Sequence, residues 1–182
     1  MRTQIGVMGS AAPDSARLDS GRVLVEKAEQ LGQAIAKRDA VLFTGATTGL
    51  VYVVGKAAHD AGCFHVGISP ASNESEHVEH YHLPLDACDT IVYTGFGLKG
   101  RNVVLVRSCE IVLFIAGAMG TLNEFTIAHD EGKIIGCLTG TGGVADESEF
   151  LLQKFGKRAT AAGRVFTSSD PNELLDKCLQ SI

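Results

Sequence analysis

The sequence predicts an α/β fold: a single Rossmann-like domain over residues 1–182, a three-layer sandwich around a mostly parallel, doubly wound sheet. Three observations predict it. Short apolar runs alternate with stretches of helical periodicity along the whole chain. Several runs are apolar at consecutive positions, the pattern of strands buried on both faces, as parallel strands are. Glycine-rich turns follow several of the runs, where a strand gives way to a helix.

The opening run, 5–8, ends at Gly9-Ser10. After it, Val23, Ala28, Leu31, Ala34 and Ile35 fall largely on one face, with charged residues between them, as in an amphipathic helix. The strand at 40–44 runs into Gly45-Ala46-Thr47-Thr48-Gly49 and a helix over 49–61. A strand at 64–68 precedes a polar segment between Pro70 and Pro84, expected to be a surface loop. Next come a strand at 90–93, the turn Gly95-Phe96-Gly97 and a helix over 101–108. The run Ile111-Val112-Leu113-Phe114-Ile115 is apolar throughout and leads to a helix over 121–131. The remaining pairs are a strand at 134–138 with a helix over 147–160, and a strand at 164–167 with a helix over 171–180. Crossovers between parallel strands are right-handed, so the helices cover both faces, and ligands bind beyond the carboxyl ends of the strands.

Composition narrows the function. With 182 residues, 45% of them hydrophobic, one sizeable core is available, and no repeat or linker divides the chain. A net charge of −5 speaks against a nucleic-acid-binding surface, which needs clustered Lys and Arg. The longest apolar stretches are strand-sized, so no membrane span is expected. The N-terminus is too short and too strand-like for a signal peptide. Five cysteines, at 63, 88, 109, 137 and 178, form no C-x-x-C pair and lie mostly in or beside apolar segments. They read as buried thiols in a reducing, cytoplasmic setting.

The stretch carrying most chemistry is Gly117-Ala118-Met119-Gly120-Thr121-Leu122-Asn123-Glu124, directly after the most apolar strand. A helix that opens there presents unpaired N–H groups and the positive end of its dipole, a site for phosphate. The glycines allow close approach, and Thr121 is expected to cap the helix and add a hydroxyl. Glu124 is placed in the first turn, at the rim of the same crevice. Gly9, Ser10, Gly45, Thr48 and Gly49 occupy further strand-end turns on the same edge and are expected to join Gly117, Ala118, Met119, Gly120 and Thr121 in binding a phosphate or nucleotide. Neither G-x-G-x-x-G after the first strand nor a P-loop is present. His77, His80 and His82 are spaced H-x-x-H-x-H, which suits no helical metal site, and no metal or resident cofactor is expected. Gly140-Thr141-Gly142-Gly143 reads as a crevice-edge turn, a mobile lid or a plain connection.

These residues resemble the LOG, or "lysine decarboxylase-like", Rossmann family, whose motif is P-G-G-x-G-T-x-x-E with an arginine upstream. Arg101 lies 23 residues before Glu124 with a strand between them, and the resemblance extends over roughly residues 4–140. It implies Glu124 and Arg101 as catalytic residues, with Arg107 where the family tends to place a second arginine. Members of this kind include phosphoribohydrolases, which release the base and ribose 5-phosphate from nucleoside 5′-monophosphates. Similar single-domain proteins carry molybdenum cofactor, a phosphate-bearing pterin. The family's members are dimers or larger oligomers. A homodimer or higher homo-oligomer with helices 101–108 and 121–128 near its interface is therefore expected, with a small phosphorylated nucleoside or pterin as ligand and neither nucleic acid nor membrane as partner.

The sequence departs from the hydrolase pattern. Ala116 stands for the proline, Ala118 for the second glycine, and Asn102 for the lysine after the arginine. A Cβ at Ala118 narrows the approach to phosphate or opposes a positive φ. Hydrolysis of an N-glycosidic bond and non-catalytic binding of a nucleotide or pterin both remain open. Amino-acid decarboxylation does not fit, because Lys99, the one lysine in a glycine-rich strand-end segment, lacks the surroundings of a pyridoxal-phosphate lysine.

Overall fold

The computed structural model describes residues 1–11, 19–156 and 164–182. Its strands are β1 (Thr3–Gly9), β2 (Ala40–Thr44), β3 (Phe64–Ser69), β4 (Thr90–Tyr93), β5 (Ile111–Ile115), β6 (Ile134–Leu138) and β7 (Arg164–Ser168). Its helices are α1 (Asp19–Ala36), α2 (Gly49–Asp60), α3 (Gly97–Arg107), α4 (Met119–Asp130), α5 (Gly143–Phe155) and α6 (Pro171–Leu179). The seven strands form one sheet in the order β4-β3-β2-β1-β5-β6-β7, and every neighbouring pair is parallel. The expected sheet is thus present and wholly parallel. The order reverses between β1 and β5, where Gly9 pairs with Ile115.

Alternation along β5 feeds two cores. Ile111, Leu113 and Ile115 join Ile5, Val7 and Leu42 under α1, α2 and α6, which contribute Leu31, Val54 and Leu174. Val112 and Phe114 face the other way and pack with Met8, Ile135 and Cys137 against Leu105, Phe125 and Ala145 of α3, α4 and α5. All five residues of β5 are buried, which is why this run is continuously apolar. The five cysteines are free, four of them buried. No helix among the described residues is long and apolar enough to cross a membrane.

Strand positions follow the sequence expectation closely, whereas three helices begin earlier. α3 starts at Gly97 rather than 101, α4 at Met119 rather than 121, and α5 at Gly143 rather than 147. Each extension includes glycine (Gly97 and Gly100 in α3, Gly120 in α4, Gly143 in α5), a weak helix former, so propensity hides the start. In α5 the turn is held from outside, because Val144 and Ala145 donate N–H bonds to Gly117 O (3.0 Å) and Ala116 O (3.1 Å). The expected end of that helix, 157–160, lies outside the described residues. Between β3 and β4 the expected loop contains a short π-helical turn at Glu76–His80. His77 is buried there, its Nδ1 sharing a hydrogen bond with Ser69 Oγ (2.8 Å) and its Nε2 facing Pro84 O (3.1 Å), so it ties the segment to the sheet. Among the described residues no group of three or more His, Cys, Asp or Glu side chains converges as a metal site.

Phe114 and Phe125 meet edge to face, with ring centroids 5.4 Å apart, and this contact seats α4 on β5. Phe114→Ala is expected to destabilise the fold by about 3–5 kcal/mol. Urea denaturation followed by circular dichroism checks this; a loss near zero would mean that the contact does not seat the helix.

Candidate functional site

At the carboxyl ends of β1 and β5, where the strand order reverses, lies a crevice of about 440 Å³ between the starts of α3 and α4. Gly9, Ser10, Arg101, Gly117, Ala118, Gly120, Thr121 and Glu124 line it, as expected from the sequence. Met119 instead opens α4 with its side chain exposed. Gly45, Thr48 and Gly49 stand in the supporting wall. A Cβ on Gly45 would lie 2.3 Å from an Arg101 guanidinium nitrogen, so glycine there leaves room for the buried cation. Thr48 Oγ1 donates to Ala11 O (2.6 Å), and Gly49 abuts the Ser10 carbonyl. Asn102 and Ala116, the departures from the family motif, and Gly143, of the expected edge turn, also line the crevice, as do Leu98 and Lys99, which the sequence did not assign to the site. The glycines flanking Leu98 and Lys99 were the available signal for those two.

The turn from β5 into α4 is built by left-handed backbone. Ala116 has φ +53° and Gly117 φ +101°. The Ala116 N–H donates to Thr141 Oγ1 (2.9 Å), whose hydroxyl donates to Leu138 O (2.6 Å). A Cβ at Gly117 would strike the Thr121 side chain at 2.4 Å. Ala118 is extended (φ −122°, ψ −148°) and needs no positive φ, so of the two expectations for its Cβ the opposition to a positive φ does not apply. Thr121 does not cap the helix either. Ala118 holds the N-cap position without a side-chain bond, and Thr121 is the third helical residue.

Four helices begin near this edge, and the N-termini of two of them, α2 and α5, are occupied by the chain itself, whereas at α3 the Gly97 N–H donates to Pro70 O (3.0 Å). At α2, Ser10 O accepts from Leu50 N–H (2.9 Å) and Val51 N–H (3.4 Å). At α5, Ala116 and Gly117 carbonyls accept from the first turn, while the Asp146 carboxylate accepts from Gly140 N–H (2.7 Å) and Gly142 N–H (2.9 Å). The segment 140–143 is therefore a strapped crevice edge. At α4, the N–H groups of Met119, Gly120 and Thr121 have no acceptor among the described residues. An open helix end of this kind is where an anion can be stabilised.

Arg101 and Glu124 face each other inside the crevice, with Arg101 Nη1 donating to Glu124 Oε1 at 3.2 Å. They are only 8% and 6% exposed, so Arg101 is not a surface residue at a helix start. Glu124 lies in the second turn of α4, and burial rather than the helix dipole governs it. Burial raises its carboxyl from the ordinary 4.5 to about 7, against the opposing pull of Arg101 and, more weakly, Lys99. A carboxyl so raised favours the fold at low pH, and that contribution is lost as the pH rises through about 7. Burial also lowers the Arg101 pKa, yet a guanidinium stays charged at physiological pH. Arg101 Nε is buried with no partner, which marks a place for an acceptor that the protein does not supply. Asn102 is buried beside the pair and donates to Asn123 Oδ1 (2.9 Å), joining α3 to α4. Arg107 points to Glu131 at 3.5 Å, with most of its side chain exposed, and does not line the crevice.

The wholly parallel sheet and its switch-point crevice define a Rossmann-like class of protein. The chain belongs to the SLOG cluster4 family, whose profile matches residues 2–175. It is 30% identical over 135 residues to an uncharacterised protein of Archaeoglobus fulgidus, covering 74% of this chain and 79% of that one. The X-ray structure of TM1055 superposes with a TM-score of 0.82, at 24% identity and 99% coverage of each chain. The molybdenum cofactor binding protein of Rippkaea orientalis superposes at 0.73, with 27% identity over 100% of this chain and 97% of that one.

Proline at position 116, which the resembling hydrolases carry, is incompatible with this turn. Proline fixes φ near −65° and has no N–H for Thr141. Ala116→Pro is expected to cost at least about 3 kcal/mol, read as a lowered urea midpoint. An unchanged midpoint would show that the left-handed turn is not required.

Proposed function

We propose that this protein binds a phosphorylated nucleoside in the crevice and hydrolyses the N-glycosidic bond of a nucleoside 5′-monophosphate. The observation that carries this reading is the buried Arg101–Glu124 pair, with its orphaned Nε, beside the open N-terminus of α4. Phosphate would sit on the free N–H groups of Met119, Gly120 and Thr121. As the C1′–N bond breaks, positive charge develops on the ribose, and an ionised Glu124 stabilises it in a site with little competing water. Water adds its hydroxyl to C1′, its proton goes to the departing nitrogen, and ribose 5-phosphate remains. Arg101 orients Glu124 through Nη1 and keeps Nε for a ligand oxygen.

A second reading, non-catalytic binding of a phosphate-bearing pterin, is favoured by two observations. The Rippkaea protein is named for molybdenum cofactor binding, and position 102 holds an asparagine engaged with Asn123 instead of a cation.

Glu124→Gln separates the two readings, because it keeps the size of the side chain and removes its charge. For a hydrolase, base release from nucleoside monophosphates is expected to fall by about 10²-fold or more while binding by calorimetry changes little. Wild-type turnover should rise with pH through about 7 and then level off, since the ionised carboxylate is the active form. Tight binding of a nucleotide or pterin by wild type, with no base released from any nucleoside monophosphate, would leave the carrier reading in its place.

The assembly we propose is a homodimer with α3 and α4 at its interface. Val103 on α3 is 43% exposed, and Leu98 and Met119 at the starts of the two helices are more exposed still, an apolar margin suited to a second copy. Light scattering at micromolar concentration is expected to give twice the chain mass; a monomer would exclude this assembly.

A further inference from the structure

We propose that Lys99 is the cation that grips the ligand's phosphate at the open N-terminus of α4, an inference that rests on the phosphate-binding reading of the crevice. Lys99 lies in the first turn of α3 and lines the crevice. Its Nζ is 3.1 Å from the point where a Cβ on Gly120 would stand, which puts the ammonium over the second residue of α4. Gly120 therefore does more than let a ligand approach the backbone, because its missing side chain leaves space for the lysine head. The three N–H groups of Met119, Gly120 and Thr121 lack acceptors in the same place, and Arg101, whose buried Nε has no partner, lines the same crevice. The Lys99 ammonium thus stands beside N–H groups that no protein acceptor among the described residues fills.

The other cations nearby are committed. Arg101 uses Nη1 to hold Glu124. Lys27 also lies over a strand-end glycine, Gly140, but its ammonium donates to Thr139 O at 3.1 Å. Lys99 has neither a hydrogen bond nor an ion pair with any described residue. Its charge nevertheless reaches Glu124, whose carboxyl it pulls downward. A lysine here answers phosphate as a compact point charge with three rotatable donors, the chemistry that suits a multi-oxygen anion above a helix terminus. The competing view is a solvated surface lysine with no role, and Lys37, exposed and remote from the crevice, serves as its control.

Titration calorimetry of the full chain with ribose 5-phosphate and with ribose tests the assignment. Lys99→Met is expected to weaken ribose 5-phosphate by about tenfold or more, as loss of a charge-assisted contact does. It should leave any affinity for ribose unchanged, Lys99→Arg should keep most of the phosphate affinity, and Lys37→Met should match wild type. Equal affinities for wild type and Lys99→Met would overturn the role of Lys99 and leave the crevice reading standing. An equal loss in Lys37→Met would also overturn it, by tracing the effect to net charge. A wild-type protein that binds no ribose 5-phosphate at millimolar concentration would overturn both.

Discussion

Everything distinctive about this molecule depends on the parallel pairing of β1 with β5. Gly9 and Ile115 are partners at the carboxyl ends of these strands, and a Cβ on Gly9 would lie 2.0 Å from Ile115 O. The chain leaves β1 toward one face of the sheet and β5 toward the other, so the strand ends part and a crevice opens between them. The same pairing supplies both cores, since β5 sends alternate side chains to α1, α2 and α6 below and to α3, α4 and α5 above. A helix placed on this edge points its first turn into the crevice without further design.

Several helix termini are available at that edge, and the chain selects among them by filling its own. Ser10 O closes α2, and the backbone of Ala116 and Gly117 with the Asp146 carboxylate closes α5. The left-handed conformation of Ala116 is part of this arrangement, because it turns the β5 exit so that its N–H meets Thr141 and its carbonyl meets Ala145. Such a conformation costs an L-residue about 1–2 kcal/mol, offset here by buried hydrogen bonds on both sides of the peptide. The Ala-for-Pro departure is thus a different way of building the turn.

The Arg101–Glu124 pair belongs to the same logic of unfilled valence. A guanidinium with five donors is buried against a single carboxylate oxygen, and one donor has no partner at all. Desolvating two charges is unfavourable, and one 3.2 Å contact compensates only partly. A fold that needed only stability would satisfy that donor, whereas under the function proposed above the pair holds charge in readiness for a ligand. Lys99 and the first turn of α4 extend that pattern to the crevice mouth.

Much of this was legible in the sequence. The apolar runs marked the strands, most plainly β5 and β6, where every residue is buried and the run is almost continuously apolar. The glycines at 9, 45, 117 and 120 marked the carboxyl edge of the sheet, where the crevice opens, and the resemblance to the LOG family singled out Arg101 and Glu124. Tertiary structure decided what those residues do. Gly45 makes room for a guanidinium 56 positions later in the chain, a contact no local pattern encodes. Whether Thr121 capped its helix, whether Glu124 stood at the rim or deep inside, and whether Lys99 faced solvent or the Gly120 backbone all depended on how α3 and α4 lie against one another. Periodicity reports which face of an element is buried, but it is silent on which distant atoms meet there. Burial, the cause of the raised Glu124 carboxyl, exists only once the chain has closed around it.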